Sequence, residues 1–203
     1  MHDPASVDTL AVLVYEGFEE LDAVGPYEVL GAAGLEPQVV TAEAADRVSG
    51  AYGLTVEPDG TVDDVDPDLL VVPGGGWNNR AERGTWAEAQ RGVLPERLAD
   101  LHESGVFLAA VCTGGMLLAY GGVLDGKRAT THHGALDDLR ETDADVVEAR
   151  VVDAGDVVTA GGVTSGIDMA LYLVEQLRGP AAADDAADLV EYDRDENVVV
   201  VDQ

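Results

Sequence analysis

The sequence predicts an α/β fold: a mostly parallel sheet covered by helices on both faces. Three observations predict it. Short runs rich in Val, Leu and Ala recur without polar interruption, as strands buried on both faces must. Helical stretches alternate with them, as crossovers between parallel strands require. Glycines mark the ends of both kinds of segment. The 203 residues, 46% of them hydrophobic, suffice for one globular core. The expected domain covers residues 1–180, with residues 181–203 as an acidic C-terminal tail.

Thr9–Tyr15 reads as a first buried strand, and the polar turn Glu16–Asp22 leads into a helix through Pro26 to about Ala33, closed by Gly34. Pro37–Thr41 reads as a second strand. Gly50, Gly53 and Gly60 divide residues 48–62 into short alternating segments, the pattern of a hairpin on the sheet edge. Leu69–Pro73 is a buried strand ending at Gly74-Gly75-Gly76. A helix follows over about 86–103, then a strand over Val106–Val111, then Cys112 and a helix over Thr113–Tyr120. Short elements are expected at Ala129–Thr131 and Ala135–Glu141. Residues 146–152 and 156–159 read as strands joined by a turn at Asp153–Gly155, and Ser165–Leu177 as the last amphipathic helix. Seven acids against Arg194 make residues 181–196 read as solvated. Val198–Val201 suits an edge strand or a contact with a neighbouring subunit.

Eleven basic against 40 acidic side chains leave a formal charge of −29. Such a surface repels phosphate backbones and anionic headgroups, so neither nucleic acid nor a membrane is an expected partner. No apolar run approaches the roughly 20 residues of a membrane span. The opening MHDPASVDTL lacks the basic and apolar regions of a secretory signal, and the expected location is cytoplasmic. Ten of the basic residues are Arg and only Lys127 is Lys. This balance suits a halophilic host, where molar salt screens charges over about 3 Å. The single cysteine excludes an intrachain disulfide and a multi-cysteine zinc site.

Ligands of open α/β sheets bind beyond the carboxyl ends of the strands. Three such ends carry informative residues here: one leads to Glu19, Glu20 and Asp22, one to Gly74–Gly76, and one is Phe107-Leu-Ala-Ala-Val-Cys112-Thr-Gly-Gly-Met116. Small residues around Cys112 permit the sharp strand-to-helix turn of a nucleophile elbow. A sulfur there sits at a helix N-terminus, which favours thiolate. The Thr113 N–H and the Gly75 and Gly76 amides would form an anion hole. A lone cysteine is most often a buried small hydrophobe, and a carboxylate in a polar loop is most often solvated; position separates Cys112 and Asp22 from those readings. A carboxyl beside the thiolate should have a raised pKa. His132 and His133 are adjacent on an extended segment, so at most one faces the site. Trp77 follows the glycine loop and is expected to wall the pocket, whereas Trp86 packs a helix. His2 and His102 read as surface residues.

Ala110-Val-Cys-Thr-Gly-Gly followed by Leu124-Asp-Gly-Lys-Arg-Ala-Thr-Thr-His132 resembles the nucleophile segment of the ThiJ/PfpI superfamily. Val72-Pro-Gly-Gly-Gly76 resembles its anion-hole loop, and Phe18-Glu-Glu-Leu-Asp22-Ala-Val-Gly-Pro26 its acidic first loop. Thr159-Ala-Gly-Gly-Val-Thr-Ser-Gly-Ile-Asp168 resembles the entry to its last helix. The resemblance covers residues 9 to about 178 and implies a flavodoxin-like three-layer sandwich. Asp22, where many members have Glu, the run Gly25–Leu30, the Cys112-Thr113 pair and Gly161–Asp168 are similar to the isonitrile hydratase branch.

That resemblance implies a small-molecule enzyme without cofactor, hydrating isonitriles to N-substituted formamides. Cys112 would attack and form a thioimidate, Asp22 would move protons, and Thr113 with Gly75 and Gly76 would hold water or charge. His132 matches the position of a histidine in hydrolytic and glyoxalase-type members and is expected to line the pocket, as is Thr164. The alternatives are a glyoxalase- or deglycase-type activity on α-oxoaldehydes, which needs His132 as base, and a redox sensor using Cys112. Glutamine amidotransferases require a later histidine, and none follows His133. By analogy the protein is expected to be a homodimer.

Overall fold

The computed structural model describes residues 7–195 and 197–200, so the readings of His2 and Val201 lie outside the described residues. Eight strands form the central sheet: β1 (Leu10–Leu13), β2 (Gln38–Thr41), β5 (Gly60–Thr61), β6 (Leu69–Val72), β7 (Phe107–Ala110), β10 (Val151–Asp153), β11 (Val157–Ala160) and β12 (Val198–Val200). Their order is β12-β10-β11-β7-β6-β1-β2-β5. All neighbours pair in parallel except β10 and β11, joined antiparallel by the tight turn after Asp153. The strands β1, β6 and β11 are buried at every residue, which their unbroken apolar runs demand.

Helices α1 (Glu20–Ala32), α7 (Ser165–Arg178) and α8 (Pro180–Leu189) pack together; α3 (Thr85–Arg91), α4 (Val93–Glu103) and α5 (Gly114–Tyr120) form a second group. The fold is the predicted three-layer, mostly parallel sandwich of the flavodoxin type. Short elements complete it: β3 (Val48–Ser49), β4 (Thr55–Val56), α2 (Val62–Val65), β8 (Arg128–Ala129), a 3-10 turn (His133–Ala135), α6 (Leu136–Arg140) and β9 (Asp145–Val146).

Four local expectations are corrected. The hairpin of β3 and β4 forms its own two-stranded sheet, and β5 alone extends the main sheet beyond β2. The helix expected over 86–103 is two helices, because Gly92 turns left-handed at φ 77° and caps one while starting the next. The strand expected over 146–152 divides between β9, paired with β8, and β10 in the main sheet. Where a solvated tail is expected from residue 181, the chain forms α8, whose Ala183 and Ala186 are fully buried, and then β12 beside β10. Alanine spacing carried that signal, and the surrounding acids masked it.

Candidate functional site

The carboxyl ends of β11, β7, β6 and β1 lie side by side, so four loops converge. Strand β7 ends at Ala110, and Cys112 turns the chain with φ 55° before α5 begins at Gly114. A left-handed residue with a side chain is strained, and here three bonds hold it. Cys112 N–H is shared between the Ala160 and Gly161 carbonyls at 3.1 and 2.9 Å, and Thr131 Oγ1 donates to the Cys112 carbonyl at 2.8 Å. Gly114 must lack a Cβ because one would collide with the Val72 carbonyl. This is the expected elbow, with its cysteine buried.

Asp22, in the first turn of α1, has no exposed surface. Its Oδ2 accepts the Gly74 N–H at 2.9 Å, and its Oδ1 has no hydrogen-bond partner. Burial pushes its pKa up to about 7; the charge of Glu19 adds to this, while the Gly74 N–H and the Cys112 thiol oppose it. The direction matches the sequence expectation, but desolvation, not the thiolate, is the main cause. Burial and the Asp22 charge push the Cys112 thiol up to about 12, and the backbone N–H groups of Val163 and Thr113 act in the opposite direction. The pull of the helix terminus toward thiolate, expected from the sequence, is opposed here: α5 has only seven residues, and burial beside a carboxylate raises the thiol pKa. Tyr15, whose hydroxyl donates to the Pro73 carbonyl, lies close enough to feel both charges, and its pKa is raised mainly by burial.

Within the glycine loop, Gly75 serves another purpose than the one expected. Gly75 N–H donates to Thr113 Oγ1 at 2.9 Å. The single hydroxyl hydrogen of Thr85 goes to the Gly75 carbonyl at 2.7 Å, so the 3.1 Å contact between the two threonines uses the Thr113 hydrogen. The Gly75 amide and the Thr113 hydroxyl are thus consumed within the protein. A Cβ on Gly75 would meet Glu19 N at 2.6 Å, and one on Gly76 would meet the Arg83 carbonyl at 2.6 Å. Both glycines make room for neighbouring loops, and the expected part of the Gly75 amide in an anion hole is corrected, since Thr113 Oγ1 takes it. Gly74 is the one that faces the site, since a Cβ there would lie 2.5 Å from Thr113 N and 3.0 Å from Asp22 Oδ2. The amides of Thr113 and Val163 are the groups that favour an anionic sulfur. Sequence reasoning missed Val163, because a backbone N–H leaves no side-chain signature.

His132 is half-buried, next to Gly162, and stacks on His133 with ring centroids 4.2 Å apart. Its Nδ1 accepts the Gly134 N–H at 3.0 Å and lies 3.1 Å from the Asn78 amide. A backbone N–H can only donate, so the neutral ring carries its proton on Nε2. Burial, with His133, holds its pKa below the usual value. Trp77 belongs to the core: it is 1% exposed, stands edge-on to Trp86 and Tyr120, and donates to Asp138. Its expected place in the pocket wall is corrected, since the aromatic cluster and the Asp138 carboxylate hold the ring. Thr164 is exposed at the start of α7, with its Oγ1 accepting from Arg150 at 3.2 Å. Among the described residues no three His, Cys, Asp or Glu side chains gather as metal ligands, and no helix is long and apolar enough to cross a membrane.

The DJ-1/PfpI family profile matches residues 8–176. An isonitrile hydratase of Pseudomonas putida is 33% identical over 172 residues, 84% of this chain and 72% of that protein. A deglycase of Thermococcus kodakarensis is 30% identical over 152 residues, 73% of this chain and 87% of its own. Among solved structures, a ThiJ/PfpI family protein from Pseudomonas syringae superposes with a TM-score of 0.82 at 32% identity, covering 95% of this chain and 78% of the other.

Proposed function

Because the chain belongs to the DJ-1/PfpI family, we propose that it is a cysteine-dependent enzyme needing no cofactor, which hydrates isonitriles to N-substituted formamides. The observation that carries this reading is the buried Asp22–Cys112 pair with no competing base: the lone pair of His132 Nδ1 is taken by the Gly134 N–H. The matched hydratase supports the reaction class.

The pair needs to exchange one proton. Asp22 takes it from the thiol, and the Thr113 and Val163 amides stabilise the sulfur as it becomes anionic. The thiolate adds to the terminal carbon of R–N≡C, and Asp22 returns the proton to that carbon, giving the thioimidate R–N=CH–S–Cys112. Water then adds to the same carbon, its proton passing through Asp22 to nitrogen. Collapse to R–NH–CHO expels the sulfur, which regains its proton, so the sum is R–NC plus water.

Infrared or gas-chromatographic detection of isonitrile loss tests this in molar KCl, with methylglyoxal as a parallel substrate. Formamide production that vanishes in Cys112→Ser and falls about a hundred- to ten-thousand-fold in Asp22→Asn is the expected result. The matched deglycase supports the second reading: methylglyoxal loss that depends on Cys112, without isonitrile turnover, would establish it and require His132 to give up its bond from the Gly134 N–H and act as base in the other tautomer. A sensor is the remaining reading if neither substrate is consumed and mild peroxide yields a stable Cys112 sulfinate. A cytoplasmic homodimer is part of the proposal. Leu21, Val24 and Tyr27, 39–43% exposed along one stripe of α1, support a subunit contact there.

A further inference from the structure

The loop between β11 and α7 holds Cys112 through the Gly161 carbonyl, which accepts the Cys112 N–H at 2.9 Å, and its Val163 amide is among the groups that pull the thiol pKa down. Arg150 grips the same loop at both ends. Gly161 N–H donates to the Arg150 carbonyl at 2.9 Å, and Arg150 Nη2 donates to Thr164 Oγ1 at 3.2 Å. Arg150 is itself held. Its Nε pairs with Asp168, whose side chain is fully buried, and its Nη2 donates to the Tyr192 hydroxyl at 3.0 Å. Tyr192 donates onward to Asp168 Oδ2 at 3.0 Å, and Asp195 N–H donates to Oδ1 at 2.9 Å.

We propose that Arg150 is a positioning residue, which with Tyr192 fixes loop 161–164 so that its backbone faces Cys112, and that the segment after α8 thereby sets the reactivity of the cysteine. The physical reason lies in the loop: Gly161 and Gly162 have wide backbone freedom, and an amide aimed at a sulfur is useful only if its direction is fixed beforehand. The clamp supplies that direction from both sides. Neither partner was legible in the sequence, where Tyr192 and Asp195 sit in a run of acids.

The inference rests on Cys112 as the nucleophile, not on the isonitrile. It is tested by alkylation with iodoacetamide as a function of pH, which reports one site because the chain has one cysteine. The titratable groups facing Cys112 are Asp22 on α1 and Tyr15 after β1, and the variants leave both in place. In Arg150→Met the midpoint of the rate profile should rise by about one pH unit, slowing alkylation below it about tenfold. Tyr192→Phe, which keeps the ring and removes only the hydroxyl, should move it the same way by less. If Arg150→Met fails to fold, Tyr192→Phe decides. A lower melting temperature with an unmoved midpoint in Tyr192→Phe overturns the proposal, since a merely structural bond would do that. Isonitrile turnover is a separate readout: it can fail while the midpoint still shifts, or persist while it does not.

Discussion

At the residue scale the proposed chemistry depends on one proton exchanged between Asp22 and Cys112. Below pH 7 both groups hold their protons, so attack should accelerate with pH and level off above an apparent pKa of about 7 belonging to the pair. Asp22→Asn should abolish that limb. The same carboxyl has a stability cost with a definite sign. Its folded pKa lies above the usual 3.8, so its contribution is most favourable in acid and is lost as pH rises through about 7. The loss amounts to about 4 kcal/mol, an upper figure. Thermal melts should therefore show Asp22→Asn gaining on the wild type between pH 4 and pH 8, and a constant gap would contradict the assignment. Cys112 was legible because it directly follows a strand among glycines, and Asp22 because it lies in the segment that leads from the first strand into α1. The resting protonation was not, because it depends on depth of burial, which no spacing encodes.

At the scale of elements the loops after β6 and β7 interlock through missing side chains. Gly74→Ala would place a methyl 2.5 Å from Thr113 N, and neither backbone can yield. Activity should fall below detection with a stability loss of about 2–4 kcal/mol, the range for overpacking joined to backbone displacement. Gly92→Ala is the control. Its Cβ meets nothing within 4 Å, so only the left-handed φ of 77° opposes it, at about 1–2 kcal/mol and with activity retained. Equal losses at the two sites in chemical denaturation would refute the distinction. The strands and the elbow could be read from apolar runs alone. The break at Gly92 was hidden because the helical pattern continues on either side. The use of Gly75 was hidden because a glycine that admits a ligand and one that admits a neighbouring loop look alike in sequence.

For the whole molecule, a charge of −29 spread over one domain means self-repulsion that only counter-ions relieve. Melting temperature should climb steeply with KCl toward molar concentrations, and sedimentation in the same buffers should report the dimer. A fold equally stable in dilute buffer would remove the halophilic reading. What remains after that repulsion is a margin of the ordinary small size, within which a single strained residue matters. The left-handed turn at position 112 would suit glycine better than any residue with a side chain. Cys112→Gly should relax the elbow while destroying the nucleophile. A laboratory selection that rewarded only folded yield should thus drift toward discarding the thiol.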